Sequence, residues 1–131
     1  MEDKLTLLYI DDEAINLKLF EINFRKKYDV ITAPSGFEGL EILDENKSVS
    51  VVISDMRMPG MNGIEFINKA REKSNDLIYF ILSGYDVTEE ISDACKRGVI
   101  YKYFQKPFNM REIEDSIREA MDIKTHGWSA S

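Results

Sequence analysis

Polar clusters stand in this chain where its short apolar runs stop. Residues 5–10 give way to Asp11-Asp12-Glu13 and residues 51–54 to Asp55; residues 77–82 lead to Ser83-Gly84, and residues 101–104 to Gln105-Lys106-Pro107. Carboxylates gathered together repel one another and resist full ionisation. A hard divalent cation removes that conflict, and Mg²⁺ (or Mn²⁺) takes a few carboxylates, a carbonyl and several waters. A lysine and a hydroxyl around one carboxylate complete a phosphoryl-transfer site. Cation and amine neutralise the equatorial oxygens while the carboxylate attacks in line. Each group also has a plainer use: Asp11-Asp12 can open a helix, Asp55 can sit in a turn, and Lys106 can be a solvated lysine. Their coincidence at four strand ends is what points to chemistry.

The elements that must hold these groups follow from the apolar pattern. Segments 5–10, 30–33, 51–54, 77–82 and 101–104 are rich in Val, Ile, Leu and Tyr. Several are apolar nearly throughout, as strands buried on both faces are. Between them, apolar residues recur at helical spacing. Ile15, Leu19 and Ile22 share a face of the first helix, with Phe20 and Phe24 beside them; Phe37, Leu40 and Leu43 do so in the second. Ile64, Ile67 and Ala70 mark the third, Val87, Ile91 and Ala94 with Cys95 the fourth, and Ile113, Ile117 and Met121 the fifth. Ser35 with Glu38, Asp86 with Glu89 and Asn109 with Glu112 signal helix starts, and Gly98 after Lys96-Arg97 signals a helix end. Five consecutive βα units require right-handed crossovers, with helices on both faces of a parallel sheet. The predicted fold is a flavodoxin-like doubly wound (βα)5 three-layer sandwich with strand order 2-1-3-4-5. Its crevice opens at the carboxyl ends of strands 1 and 3, the edge that collects the polar clusters. Residues 1–124 read as one domain, and residues 125–131, which lack periodicity, as a flexible tail.

Composition narrows the function classes. The chain has 131 residues, 44% hydrophobic and 31% charged, an ordinary mixture for one globular domain. Seventeen Lys and Arg against twenty-four Asp and Glu give a formal charge of −7, which argues against a nucleic-acid grip by this domain and against anionic lipid surfaces. Cys95 is the one cysteine, which excludes an intrachain disulfide and fits a reducing compartment. Met1-Glu2-Asp3-Lys4 is not a basic leader, and the longest apolar run, residues 77–82, is far below the roughly 20 residues of a membrane span. A soluble, cytoplasmic protein is expected. His126 lacks a metal-binding partner, Cys95 reads as a small hydrophobe, and Met56, Met58 and Met61 read as packing residues. Gly36-x-x-Gly39 is too short for a dinucleotide loop, and Arg25-Lys26-Lys27 reads as a favourable end to the first helix.

From residue 5 to residue 123 the chain resembles the receiver domain of two-component response regulators. The resemblance is carried by Tyr9-Ile10-Asp11-Asp12-Glu13, by Asp55-Met56-Arg57-Met58-Pro59-Gly60-Met61-Asn62-Gly63, by Leu82-Ser83-Gly84, by Tyr103 and by Lys106-Pro107-Phe108. It implies that Asp55 is the phosphoacceptor, charged by the phosphohistidine of a sensor histidine kinase or a histidine phosphotransfer protein. It implies that Asp11 and Asp12 hold Mg²⁺, Asp12 more directly, and that the backbone carbonyl of Arg57 completes the metal shell. By the same resemblance, Lys106 bonds the phosphoryl group, Ser83 is the switch hydroxyl, Tyr103 is the aromatic that turns inward after it, and the Lys106–Pro107 bond is cis. Ser83 stands where Thr is commoner, and loses a methyl that would hold the switch more tightly. Arg57 and Tyr85 occupy positions that resemble those tuning dephosphorylation in the family, and their bulk predicts a relatively long-lived phosphoaspartate.

The implied output is a population shift of the surface built from the fourth helix, fifth strand and fifth helix, framed by Tyr101, Tyr103, Ile91 and Cys95. It would control a downstream protein target or an attached effector domain, and a homodimer through the same face is left open. The chain is then a signalling phosphoacceptor rather than an enzyme acting on a separate substrate. Two other classes compete. A Mg²⁺-dependent phosphohydrolase of the aspartyl-phosphate type would have a second Asp two residues after the nucleophile, where this chain has Arg57, and would need a substrate cap. A non-phosphorylated interaction scaffold would have no need of the acid pair, Asp55 and Lys106 together.

Overall fold

The central apolar runs become strands because they can bury both faces between helices, the two edge runs pair onto them less deeply buried, and each amphipathic stretch becomes a helix laid on one face. The computed structural model describes residues 4–84 and 88–126. In chain order the elements are β1 (Thr6–Ile10), α1 (Ala14–Phe24), β2 (Asp29–Ala33), α2 (Gly36–Glu45), β3 (Val49–Asp55), α3 (Gly63–Lys73), β4 (Ile78–Ser83), α4 (Glu89–Lys96), β5 (Lys102–Gln105) and α5 (Met110–His126). The strands form one parallel sheet in the order β2-β1-β3-β4-β5, the order the sequence predicts. On one face, residues of α2, α3 and α4 pack with Ile10, Val52 and Ile81. On the other, α1 and α5 pack with Tyr9, Ile53 and Leu82.

The helix starts follow mostly as read. The Ser35 hydroxyl accepts from the Glu38 N–H at 3.2 Å and the Asn109 amide oxygen from the Glu112 N–H at 3.1 Å. Gly98 ends α4 at a φ of 76°, a conformation that costs glycine little. The expected Asp86–Glu89 start is corrected: Thr88 caps α4, its hydroxyl accepting from the Ile91 N–H at 3.2 Å, while Asp86, like Val87, lies outside the described residues. A reciprocal capping box at α3, between Asn62 and Glu65, joins both pairs at 2.8 Å, a start of the same Asn-x-x-Glu spacing as Asn109–Glu112 that the sequence reading passed over. Helix α5 continues through His126, past the expected boundary at 124, since its backbone ladder does not need apolar side chains to run on.

Two helix faces differ from expectation. In α1 the buried residues are Phe20 and Phe24, whereas Ile15, Leu19 and Ile22 are 63%, 48% and 45% exposed. Both faces of α1 are apolar, and the aromatic one wins because it buries more area and stacks: Phe20 lies 4.2 Å from Tyr9 and 4.4 Å from Phe24, ring centroid to ring centroid. In α2, Gly36, Gly39 and Leu43 face inward and Phe37 is exposed. A Cβ at Gly39 would come within 2.8 Å of Ile10 and 3.0 Å of Phe66, so the Gly-x-x-Gly spacing serves close packing of α2 on the sheet.

Candidate functional site

Parallel pairing carries the strand ends to one edge. Register sets Ile10 beside Ser54, Asp55 beside Leu82, and Ser83 beside Gln105. Beyond the last pairs the backbone stays tied: Asp11 N–H donates to the Ala33 carbonyl at 3.2 Å, Met56 N–H to Leu82 at 3.0 Å, and Lys106 N–H to Ser83 at 2.8 Å. The edge opens as a cleft of about 390 Å³ bordered by Asp12, Asp55, Arg57, Ser83 and Lys106, with Glu13, Asn16, Met56 and Gly84 completing the rim. Asp11 lies behind it, fully buried. Six of the seven residues the sequence singles out meet here. The seventh, Tyr103, sits half-buried on β5 against the cluster that contains Ile91 and Ala94.

Lys106 is the hub of the charges. Its Nζ lies 3.1 Å from Asp11 Oδ2 and 3.1 Å from Asp55 Oδ1. Burial works against the lysine charge, but Asp55 and Asp11 outweigh it and hold the ammonium above its ordinary value. Burial pushes the Asp55 carboxyl up; Lys106 opposes this, and Asp11 and Asp12 add to it. The site therefore carries more negative charge than its one lysine compensates. Asp11, Asp12 and Asp55 each offer an oxygen, all within 4.8 Å of one another. Hard oxygen donors with surplus charge fit Mg²⁺ or Mn²⁺ rather than a soft metal.

Asp12 is the exposed member of the acid pair, and Asp11 already accepts from protein donors at both oxygens. Oδ1 takes the Glu13 N–H at 2.9 Å, and Oδ2 takes Lys106 and the Tyr9 hydroxyl, the latter at 2.6 Å. Sequence reasoning missed Tyr9 as a site residue. The signal was there: two residues before Asp11 on a strand is the same side of the sheet. Asn16 was missed as well; it lines the cleft one helical turn beyond Asp12, and its amide donates to Glu13 at 3.2 Å. Met56, Met58 and Met61 are buried, as expected of packing residues. The Lys106–Pro107 bond is cis. Ile91 is fully buried rather than framing a surface, and the Tyr101 hydroxyl donates to Glu119 of α5. Tyr85 lies outside the described residues.

Comparison with known proteins agrees with this geometry. The response regulator receiver domain family matches residues 7–118. The hydrogenase transcriptional regulatory protein HoxA of Cupriavidus necator is 32% identical over 125 residues, covering 95% of this chain and 26% of that protein. The sporulation initiation phosphotransferase F of Bacillus subtilis is 26% identical, covering 92% of this chain and 96% of its own length. A response regulator receiver domain protein from Clostridium thermocellum superposes with a TM-score of 0.82 at 28% identity, over 92% of this chain and 96% of that one. The chain spans about a quarter of the length of its HoxA-type relatives. Among the described residues, no helix is long and apolar enough to cross a membrane.

Proposed function

The chain belongs to the response regulator receiver domain family of two-component systems, and from that premise we propose that Asp55 accepts a phosphoryl group from a phosphohistidine. The observation that carries the reading is Lys106 Nζ held 3.1 Å from both Asp55 and Asp11, beside an acid cluster open to an approaching phosphate. An Asp55 carboxylate oxygen attacks phosphorus, the P–N bond breaks, and its electron pair leaves with the imidazole nitrogen, which takes a proton from solvent. Lys106 neutralises one oxygen of the transferring group. Asp12 and Asp55, with Asp11 and the Arg57 carbonyl, would hold Mg²⁺ or Mn²⁺, which supplies charge neutralisation to the transferring phosphoryl group when bound.

The donor is a sensor histidine kinase or a histidine phosphotransfer protein, and it docks over the exposed apolar face of α1. Support comes from continuity: Asn16 and Lys106 border both the cleft and an adjacent hollow lined by Leu19, Asn23, Phe108 and Met110. A donor seated on Ile15, Leu19 and Ile22 thus lies beside the cleft that holds Asp55. After transfer, the Ser83 hydroxyl turns to the phosphoryl oxygens and Tyr103 follows into the space vacated. The populations of the α4, β5 and α5 surface shift with them, and a partner or attached output domain reads the change.

Intact-mass measurement after incubation with acetyl phosphate and Mg²⁺ tests the acceptor. One phosphoryl adduct is expected, lost in Asp55→Asn and on chelation. No adduct in the unaltered protein contradicts phosphoacceptance and favours the scaffold reading.

A further inference from the structure

Tyr9 stands out as a buried polar group on a strand whose neighbours Leu7, Leu8 and Ile10 are wholly apolar. Its ring stacks on Phe20 with the planes 12° apart, which fixes the hydroxyl over Asp11 Oδ2 at 2.6 Å. That is the short range of a hydrogen bond to an ionised acceptor.

Asp11 Oδ2 therefore has two donors, Tyr9 and Lys106, and Lys106 is shared with Asp55. We propose that Tyr9 is a positioning residue for phosphoryl transfer: it keeps the buried Asp11 carboxylate satisfied when Lys106 leaves it for the phosphoryl group. The proposal rests on the phosphoacceptor reading for its second half, because only there does Lys106 move. The physical reason is an asymmetry. A buried acceptor oxygen that keeps one good donor loses little when the other departs, whereas Oδ2 left with neither would be unsatisfied, since the Glu13 N–H serves only Oδ1. Tyr9 thereby lowers the cost of moving Lys106.

Tyr9→Phe keeps the stacked ring and deletes only the hydroxyl. Beryllofluoride with Mg²⁺, a phosphoryl mimic, is the probe, followed by fluorine NMR. The variant is expected to melt within a few degrees of the unaltered protein, because Lys106 still covers Asp11, yet to bind beryllofluoride about tenfold more weakly. Tyr9→Leu, which removes the ring as well, separates packing from positioning. The proposal is overturned if Tyr9→Phe binds within twofold of the unaltered protein, or if affinity simply tracks melting temperature in both variants. A melting cycle with Lys106→Met, run without metal or phosphoryl mimic, tests the shared carboxylate independently of phosphoryl chemistry. The double variant must lose more than the two single variants combined; additive losses contradict the role of Tyr9. An unaltered protein that binds no beryllofluoride contradicts the phosphoacceptor reading, and leaves the melting cycle to decide whether Tyr9 and Lys106 share Asp11.

Discussion

Asp55 is held in the folded chain against its own charge, and the consequence is a dependence on pH. Burial, then Asp11 and Asp12, raise its carboxyl against the pull of Lys106, so the folded state binds this proton more tightly than the unfolded chain does. For an acid raised on folding, stability is full below the ordinary carboxylate value and falls as pH rises through the raised one. Lys106 follows the same sign in another range: its value is raised as well, so the stability it adds is present at neutral pH and is lost only in the strongly alkaline range. Thermal melts without divalent cation are thus expected to decline as pH climbs above the carboxylate range, and Mg²⁺ to restore the loss. Asp55→Asn removes one charge from the crowded acid cluster: at neutral pH its metal-free form is expected to melt higher than the unaltered protein and to respond less to Mg²⁺. A metal-free Asp55→Asn protein that melts lower than the unaltered one contradicts this electrostatic account. Arg57 is exposed at the cleft rim, and a bulky side chain there hinders water. A phosphoaspartate that outlasts seconds at neutral pH is the expected result, read by timed intact mass.

The site is built by element packing as much as by its charges, and Gly63 shows how. It opens α3, its N–H donates to the Met56 carbonyl at 2.9 Å, and a Cβ there would stand 2.5 Å from the Asp55 carbonyl oxygen. Gly63→Ala is expected to cost about 2–3 kcal/mol and to displace Asp55, slowing acetyl phosphate labelling. Gly39→Ala presses on Ile10 and Phe66 instead; comparable melting loss with near-normal labelling of the folded fraction is expected there, and equal labelling defects in both variants would contradict the distinction. Strand order, the edge that carries the site and Asp11, Asp12, Asp55, Ser83 and Lys106 were legible because apolar runs and the residues that end them are local signals. The inward face of α1 was not. Ile15, Leu19 and Ile22 keep helical spacing as well as Phe20 and Phe24 do, and partners distant in sequence, the rings of Tyr9 and Phe108 among them, decide between them. The inward glycines of α2 escaped for the same reason, since close approach depends on a neighbour distant in sequence.

For the whole molecule, the formal charge of −7 divides into a dispersed surface share and the cluster of Asp11, Asp12 and Asp55, whose oxygens lie within 4.8 Å. Next to that cluster lies the exposed apolar face of α1, so one side of the molecule carries both the acid cluster and the face on which the donor is proposed to dock. Leu19→Ser is expected to leave acetyl phosphate labelling within about twofold and to slow transfer from a phosphohistidine protein by about tenfold. Equal effects on both donors would contradict docking on α1. The chain covers about a quarter of its HoxA-type relatives, and on the function proposed above a phosphoryl group on Asp55 would be the signal passed onward. The most direct test is to locate that group. Borohydride reduces an aspartyl phosphate to homoserine, which peptide mass mapping reads by position. After acetyl phosphate and Mg²⁺ the account predicts homoserine at position 55 alone; homoserine at position 11 or 12, or at no position, would contradict it.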